Sequence, residues 1–266
     1  MYDTHAHLNF PQLRDKIDQI VEESQKAGIN GIIIASSNLG DSKAAVEMAQ
    51  KYPGFLYASV GIHPQKTDPK SRISIQDQLL ELKKLLQQMS RTQHPSPIVA
   101  IGETGLDFSP APPNEEERLK QDQQALFQGQ ISLAQQYNLP LIIHARQAVD
   151  EVISILQGLA LQARGVFHCY AGGKKRIQKI LDLPGKWYFG FDGNITYDEG
   201  LQNIVKLIPE DRIIIETDSP FLTPTPYRGE INTPVYLPLI QKKINEVFGK
   251  DLTEQIKENT VRIFNF

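Results

Sequence analysis

Short apolar runs alternate with longer amphipathic segments along the whole chain. Gly31–Ala35 is apolar at every position, which is typical of a strand buried on both faces. Between such runs, apolar residues recur at helical spacing, as in the stripe formed by Leu79, Leu82, Leu86 and Met89. This regular alternation predicts an α/β protein with a parallel sheet.

The pattern predicts eight strands and the helices that connect them. We predict strands at Met1–His7, Gly31–Ala35, Leu56–Gly61, Pro97–Glu103, Leu141–His144, Gly165–His168, Trp187–Asp192 and Arg212–Asp218. We predict helices at Leu13–Ala27, Asp41–Tyr52, Ile75–Met89, Glu115–Tyr137, Gln147–Ala163, Asp198–Leu207, Pro234–Phe248 and Thr253–Phe264, and a short helix that ends at Leu183. Eight such units favour a (β/α)8 barrel over an open doubly wound sheet. We expect one domain over residues 1–266.

Polar residues cluster where the predicted strands end. They are His5, His7, His63, Glu103, His144, His168, Glu216 and Asp218. Since the C-terminal ends of barrel strands meet at one mouth, these side chains are expected to converge there. His5 and His7 are two apart in a strand and therefore point the same way. The remaining histidine, His94, lies among polar residues and prolines and is expected in a solvated loop.

Two irregular segments follow strands on the same side of the barrel. Leu106–Asn114 contains Pro110, Pro112 and Pro113, and Ser219–Thr233 contains Pro220, Pro224 and Pro226. Loops on this side build the active sites of barrel enzymes. We therefore expect both segments to shape a cleft.

Composition constrains the binding partners and the cellular compartment that we expect. The formal net charge of −3 excludes a global basic field, so any contact with nucleic acid has to be local. A single cysteine rules out an intrachain disulfide framework and fits a reducing compartment. The sequence shows neither a signal peptide nor an apolar run long enough to span a bilayer. A cytoplasmic location is the expectation.

The clustered side chains point to metal chemistry. Four histidines, one glutamate and one aspartate exceed the needs of one ion and suit two divalent cations that share a carboxylate. Such a pair activates a water as the nucleophile and stabilises the charge of the leaving oxygen. The ligand set accepts Mg²⁺, Mn²⁺, Zn²⁺ or Co²⁺. The sequence contains no dinucleotide-binding fingerprint and no Walker A motif.

The ordered motifs resemble those of TatD-family metal-dependent hydrolases and deoxyribonucleases, a branch of the amidohydrolase-like barrels. The matching segments are Asp3–Leu8, Gly61–Pro64, Ile101–Asp107, Ile143–Arg146, His168–Gly172 and Glu216–Pro220, followed by Arg228-Gly229, Asn232 and Pro234. Each motif alone is weak, but their common order across the chain is specific.

The resemblance implies a role for each matching residue. His5, His7, Glu103 and Asp218 would bind one metal, and Glu103, His144 and His168 would bind the second, with Glu103 bridging. Asp218 would also orient the attacking water and take its proton. His63 would contact the scissile phosphate beside the metals. The catalytic residues are thus expected to be Asp218, Glu103 and His63.

For several other residues, the sequence leaves two interpretations open. Lys174, Lys175 and Arg176 directly follow a pair of glycines, Gly172 and Gly173. One interpretation is that these three cations bind DNA phosphates; the other is that they form a solvated helix start. Arg228 in the last loop is a further candidate substrate contact. Asp107 and Arg146 either pair with each other or contact substrate. Glu216 either orients a ligand or belongs to a buried polar network, and Cys169 is expected to be a small buried residue.

Four aromatic residues near the predicted mouth also have two interpretations. They stack on an unpaired base or pack against the barrel. They are Tyr170, Tyr197, Phe221 and Tyr227.

The leading functional hypothesis is a two-metal deoxyribonuclease of the exonuclease type, with DNA, mainly single-stranded ends, as its partner. One alternative keeps the metals but cleaves an ester or amide, as a D-aminoacyl-tRNA deacylase does. Another is a non-catalytic metal-containing binding protein. No membrane association and no obligatory protein partner are expected.

Overall fold

The structure is a computed structural model that describes residues 1–67, 73–92, 96–111, 117–158 and 163–266. His94, Pro112, Pro113 and Asn114 lie outside the described residues, as do the start of the predicted helix Glu115–Tyr137 and the residues just before Ala163. Among the described residues, no helix is both long and apolar enough to cross a membrane.

Eight parallel strands form one sheet in chain order, as predicted. They are β1 (Tyr2–Ala6), β2 (Gly31–Ile34), β3 (Leu56–Val60), β4 (Ile98–Asp107), β5 (Leu141–Arg146), β6 (Ala163–Phe167), β7 (Gly185–Phe191) and β8 (Ile213–Ile215). The sheet closes where the end of β1 meets the segment after β8. There His7 N donates to Ser219 O at 2.7 Å, and Asp218 N donates to His5 O at 2.9 Å. The predicted (β/α)8 barrel is confirmed.

Helices alternate with the strands and cover the outside of the barrel. Those in the described residues are α1 (Ile17–Lys26), α2 (Leu39–Lys51), α3 (Ile75–Thr92), α4 (Lys120–Gln136), α5 (Val149–Gln157), α6 (Lys174–Leu181), α7 (Glu199–Val205), α8 (Leu237–Phe248) and α9 (Thr253–Phe264). Local signals set several ends. The Asn38 side chain caps α2 by accepting from Asp41 N, and Gly249 ends α8 in the left-handed region.

Side-chain alternation divides the core into two layers. Ile32 and Ile34 of β2 pack in the large cluster under the helices, whereas Ile33 between them joins a smaller cluster with Ile142 and Ile214 of other strands. Ile263 and Phe264 of α9 belong to this smaller cluster. Each fully buried aliphatic side chain stabilises the fold by about 1.5–3 kcal/mol. The metal-binding candidates at the strand ends therefore lie next to a close-packed apolar core.

Several bounds differ from the sequence prediction: β5 continues to Arg146, and Ala163, predicted to end a helix, begins β6. The ends of β4 and β8 differ most. β4 continues past Glu103 to Asp107, because Thr104 to Asp107 stay paired with β5 after a shift in register. β8 ends at Ile215 rather than at Asp218. Thr217 N donates to the Asp3 carboxylate instead of to a strand, and Asp218 has a φ of 53°, so this segment turns over the barrel mouth.

Candidate metal centre

A cleft of about 1090 Å³ opens at the C-terminal ends of the strands, slightly larger than the roughly 300–1,000 Å³ that is usual for small-molecule sites. Its walls include His7, His63, Glu103, His144, His168 and Asp218. The predicted convergence of these residues on one mouth is therefore observed. His5 lies directly beneath and is fully buried.

The first group of donor atoms joins β1, β4 and the segment after β8. His5 Nε2 and His7 Nε2 are 3.3 Å apart, as expected for side chains on one face. His5 Nε2 lies 3.6 Å from Glu103 Oε2 and 3.5 Å from Asp218 Oδ1. The corresponding distances from His7 Nε2 are 3.9 and 3.4 Å. Two imidazole nitrogens and two carboxylate oxygens that face each other at this spacing fit one divalent cation.

The second group surrounds the other oxygen of Glu103. His168 Nε2 is 2.8 Å and His144 Nδ1 is 2.9 Å from Glu103 Oε1. His63 Nε2 is 3.4 Å from the same oxygen. Glu103 thus presents Oε2 to the first group and Oε1 to the second. A carboxylate in this position is suited to bridge two cations, the role that the family resemblance implies for Glu103.

His63 differs from the other histidines in its ring hydrogen bonds. Its Nδ1 accepts the backbone N–H of Gln65 at 3.1 Å. In the neutral ring the proton is therefore on Nε2, the atom that faces Glu103. Burial lowers the pKa of His63 and outweighs the attraction of Glu103, which favours this neutral form. His63, Glu103 and His144 lie close enough together to share an ion, but the hydrogen bond at Nδ1 favours a donor role for His63 over that of a third ligand.

Asp107 holds His144 from behind. Asp107 Oδ2 is 3.1 Å from His144 Nε2 and accepts from Gln65 Nε2 at 2.7 Å. Its other oxygen accepts the N–H of Ser109. The hydrogen bond to Asp107 fixes the ring so that Nδ1 faces Glu103. Asp107 therefore does not pair with Arg146. The extension of β4 beyond Glu103, which the hydrophobic pattern does not predict, places Asp107 here.

Asp3 and Glu216 form a buried polar layer under the ligands. Asp3 accepts from Thr217 Oγ1 at 2.6 Å and Thr217 N at 2.9 Å. Glu216 accepts from Cys169 N at 2.5 Å and from Thr4 Oγ1 at 3.3 Å. It lies 3.8 Å from His168 Nδ1, too far for a hydrogen bond. These contacts favour the polar-network interpretation of Glu216, and burial raises its pKa to about 8.

Electrostatics keep Glu103, Asp218 and His5 in the forms that bind metal. Burial opposes ionisation of Glu103, but His63 and His168 beside it hold its pKa well below the ordinary value. Burial likewise opposes ionisation of Asp218, and His7 and His5 lower its pKa. Burial depresses the pKa of His5 strongly, so this ring is neutral. Charged carboxylates and neutral imidazoles are the forms that metals require. For the two rings of the second group, the carboxylates act against burial: Asp107 and Glu103 raise the pKa of His144, and Glu103 raises the pKa of His168 to about 10, so a cation bound there would replace a proton.

The candidate phosphate contacts are scattered. Lys174 and Lys175 are exposed at the start of α6 and are not among the residues that line the cleft. Arg176 does line it, but donates to Asp150 Oδ2 and to Gly172 O. Arg228 lies over the ring of Tyr197, 3.9 Å from its centroid. Their roles with substrate remain predictions.

Cys169 departs from the expected small buried residue. It lines the cleft and has a φ of 44°. Burial, with Asp192 adding to the effect, raises its thiol pKa well above the ordinary value, which favours the neutral thiol.

Comparison with known proteins identifies the family of this chain. A family described as TatD related DNase matches residues 2–265. The chain is 33% identical to the uncharacterized metal-dependent hydrolase YabD of Bacillus subtilis, over 99% of this chain and 98% of that protein. It is 29% identical to the 3'-5' ssDNA/RNA exonuclease TatD of Pectobacterium parmentieri, over 99% of each chain.

A solved structure shows the same fold. The crystal structure of the TatD homologue YJJV from Escherichia coli superposes with a TM-score of 0.86 at 24% identity, covering 100% of this chain and 98% of that one. The match across residues 2–265 and the identity to YabD together establish the family. The chain belongs to the TatD-related DNase family of metal-dependent hydrolases.

Proposed function

We propose that this protein is a two-metal phosphodiesterase that removes nucleotides from the 3′ ends of single-stranded DNA or RNA. The observation that carries the proposal is Glu103, whose two oxygens face two separate groups of nitrogen and oxygen donors. The substrate and the direction of cleavage are inferred from proteins of similar sequence that are named 3'-5' ssDNA/RNA exonuclease.

The two groups would hold two divalent cations. His5, His7, Asp218 and Oε2 of Glu103 would hold one, and His144, His168 and Oε1 of Glu103 the other. When bound, such ions lower the pKa of a water molecule and neutralise charge on the phosphate oxygens.

Two further side-chain roles follow from the hydrogen bonds. Asp218 Oδ1 faces the first group of donors and would accept the proton of the attacking water. The Nε2–H of His63 would donate to a phosphate oxygen as negative charge develops, because Gln65 N fixes the proton on that atom. Asp107 would keep His144 aligned throughout.

The test measures hydrolysis of a substrate panel with each of Mg²⁺, Mn²⁺, Co²⁺ and Zn²⁺. The panel contains single-stranded DNA and RNA labelled at the 5′ or the 3′ end, duplex DNA, a phosphomonoester and an aminoacyl ester. We expect stepwise shortening from the 3′ end of single strands and a loss of about 10²-fold or more for Asp218→Asn. Glu22→Gln, a change of an exposed carboxylate on α1, serves as the matched control.

Three results would contradict the proposal. Faster turnover of the aminoacyl ester than of any nucleic acid would favour the ester-hydrolase alternative. No turnover of any substrate with any metal would favour a binding protein. Equal activity of Asp218→Asn and the wild type would show that the site described above is not the one that reacts.

A further inference from the structure

The cleft has chemically different sides. Because the strands follow chain order and β1 meets the segment after β8, the β8–β1 seam lies across the barrel from β4 and β5. Beside the seam the cleft is lined by Phe10, Phe221 and Leu222. Across from it lies Arg146, the last residue of β5. The metal-binding candidates lie between an aromatic wall and a cationic wall.

Phe221 is an exposed aromatic ring on a rigid support. Its side chain is 47% exposed and lines the cleft, with its ring centroid 6.0 Å from that of His7. Phe221 N donates to Asp218 O at 2.9 Å, and Phe221 O accepts from Nδ2 of the buried Asn232 at 2.6 Å. The main chain that carries the ring is thus hydrogen-bonded to the backbone of a candidate metal ligand, Asp218.

The other aromatic candidates are engaged elsewhere. Tyr170 is buried and donates to Gly173 O. Tyr197 is covered by Arg228, and Tyr227 stacks on Tyr236 with centroids 4.5 Å apart. None of these three tyrosines lines the cleft. Among the four, Phe221 alone presents a surface on which a base could stack.

Lys66 and Arg146 both line the opposite wall, and the one that lies on a barrel strand is Arg146. It is exposed, lies two residues after His144 on the same strand, and its side chain makes no ion pair or hydrogen bond with any residue that the structure describes. Asp107 lies opposite Arg146 on β4, but its carboxylate is hydrogen-bonded to His144, Gln65 and Ser109. Arg176, by contrast, is neutralised by Asp150.

We propose that Phe221 stacks on the base of the 3′-terminal nucleotide and that Arg146 binds the backbone phosphate next to the scissile one. This inference rests on the proposed function. A 3′-terminal nucleotide with a free hydroxyl carries only the scissile phosphate, so it fits the wall that has a ring and no cation. The upstream strand carries a phosphate at every nucleotide and fits the cationic wall. The single strand therefore crosses the metal centre from β5 to β8.

The test measures binding and cleavage separately. Binding is followed by fluorescence anisotropy with 5′-labelled single strands that carry a hydrolysis-resistant phosphorothioate at the last linkage. One strand ends in a normal nucleotide and the other in an abasic nucleotide. Cleavage of unmodified strands by the wild type tests the proposed function, whereas the pattern of Kd values among variants tests this inference.

The two walls have different expected signatures. Phe221→Ala should raise Kd about tenfold for the normal end and leave Kd for the abasic end unchanged, while Phe221→Trp should retain tight binding. Arg146→Gln should weaken both strands equally and reduce the slope of log Kd against log salt by about 0.7, the value for one phosphate contact on a single strand.

Matched controls change similar residues away from the cleft. Tyr227→Ala removes an exposed ring, and Arg164→Gln removes a cation at the start of β6, at the other end of the barrel. Neither should change Kd. Equal effects of Phe221→Ala on normal and abasic ends, or an unchanged salt slope in Arg146→Gln, would overturn the proposal even if the wild type proves to be a nuclease.

Discussion

At the scale of single residues, hydrogen-bond partners decide what each histidine can do. His63 receives a backbone N–H on Nδ1 and so keeps a proton on Nε2, whereas His144 has its Nε2 next to Asp107 and turns Nδ1 to Glu103. The same side chain therefore serves as a donor at one strand end and as a candidate ligand at another.

Asp107→Asn tests the role of the carboxylate behind His144. Both oxygens of Asp107 accept hydrogen bonds, so an amide NH₂ at either position faces a donor such as Gln65 Nε2 or Ser109 N. We expect metal affinity to fall by about 10–100-fold, measured by isothermal titration calorimetry. Ser109→Ala, which removes only the hydroxyl beside the other oxygen, should leave affinity within a few-fold of wild type. Unchanged affinity in Asp107→Asn would contradict the assignment.

At the scale of elements, close packing of strand ends places the bridging carboxylate. Gly61 follows β3, and its N–H donates to Ser42 Oγ at 3.1 Å. A Cβ at this position would lie 2.7–2.9 Å from backbone atoms of Gly102, the residue before Glu103. The sequence of β3 thus controls the position of a residue on β4.

Gly61→Ala is therefore expected to disturb the metal centre through the backbone. Real Cβ contacts are not this short, so β4 has to shift at Gly102 and carry Glu103 with it. We expect at least tenfold weaker metal binding and a destabilisation of about 1–3 kcal/mol in urea unfolding. Gly158→Ala is the control, since its nearest contact would be an ordinary 3.5 Å. Wild-type metal affinity in Gly61→Ala would refute this account.

At the scale of the whole molecule, the metal centre connects distant parts of the chain. Its candidate ligands come from β1, β4 and β5 and from the segments after β6 and β8. Cations bound there would link these elements in the native state only. Ligands that bind the native state stabilise it by mass action.

Removing metal is consequently expected to lower the melting temperature without unfolding the barrel. At a free metal concentration of about 1,000 Kd the stabilisation is about 4 kcal/mol, which corresponds to about 8–16 °C for a chain of this size. Differential scanning fluorimetry with and without EDTA measures this shift. His5→Ala should reduce the shift, because the second group keeps its donors, whereas His63→Ala should keep the full shift. A reduced shift in His63→Ala would make His63 a ligand instead of a donor.

The sequence by itself determined the barrel and the meeting of its polar strand ends. Both follow from local rules: apolar runs such as Gly31–Ala35 are typical of buried strands, and alternation along a strand turns His5 and His7 to one face. The tertiary structure alone decided the partners of Asp107, the turn at Asp218 and the free surface of Phe221. These depend on register between strands and on contacts between residues far apart in the chain, such as Asp3 with Thr217, which periodicity along one chain does not encode.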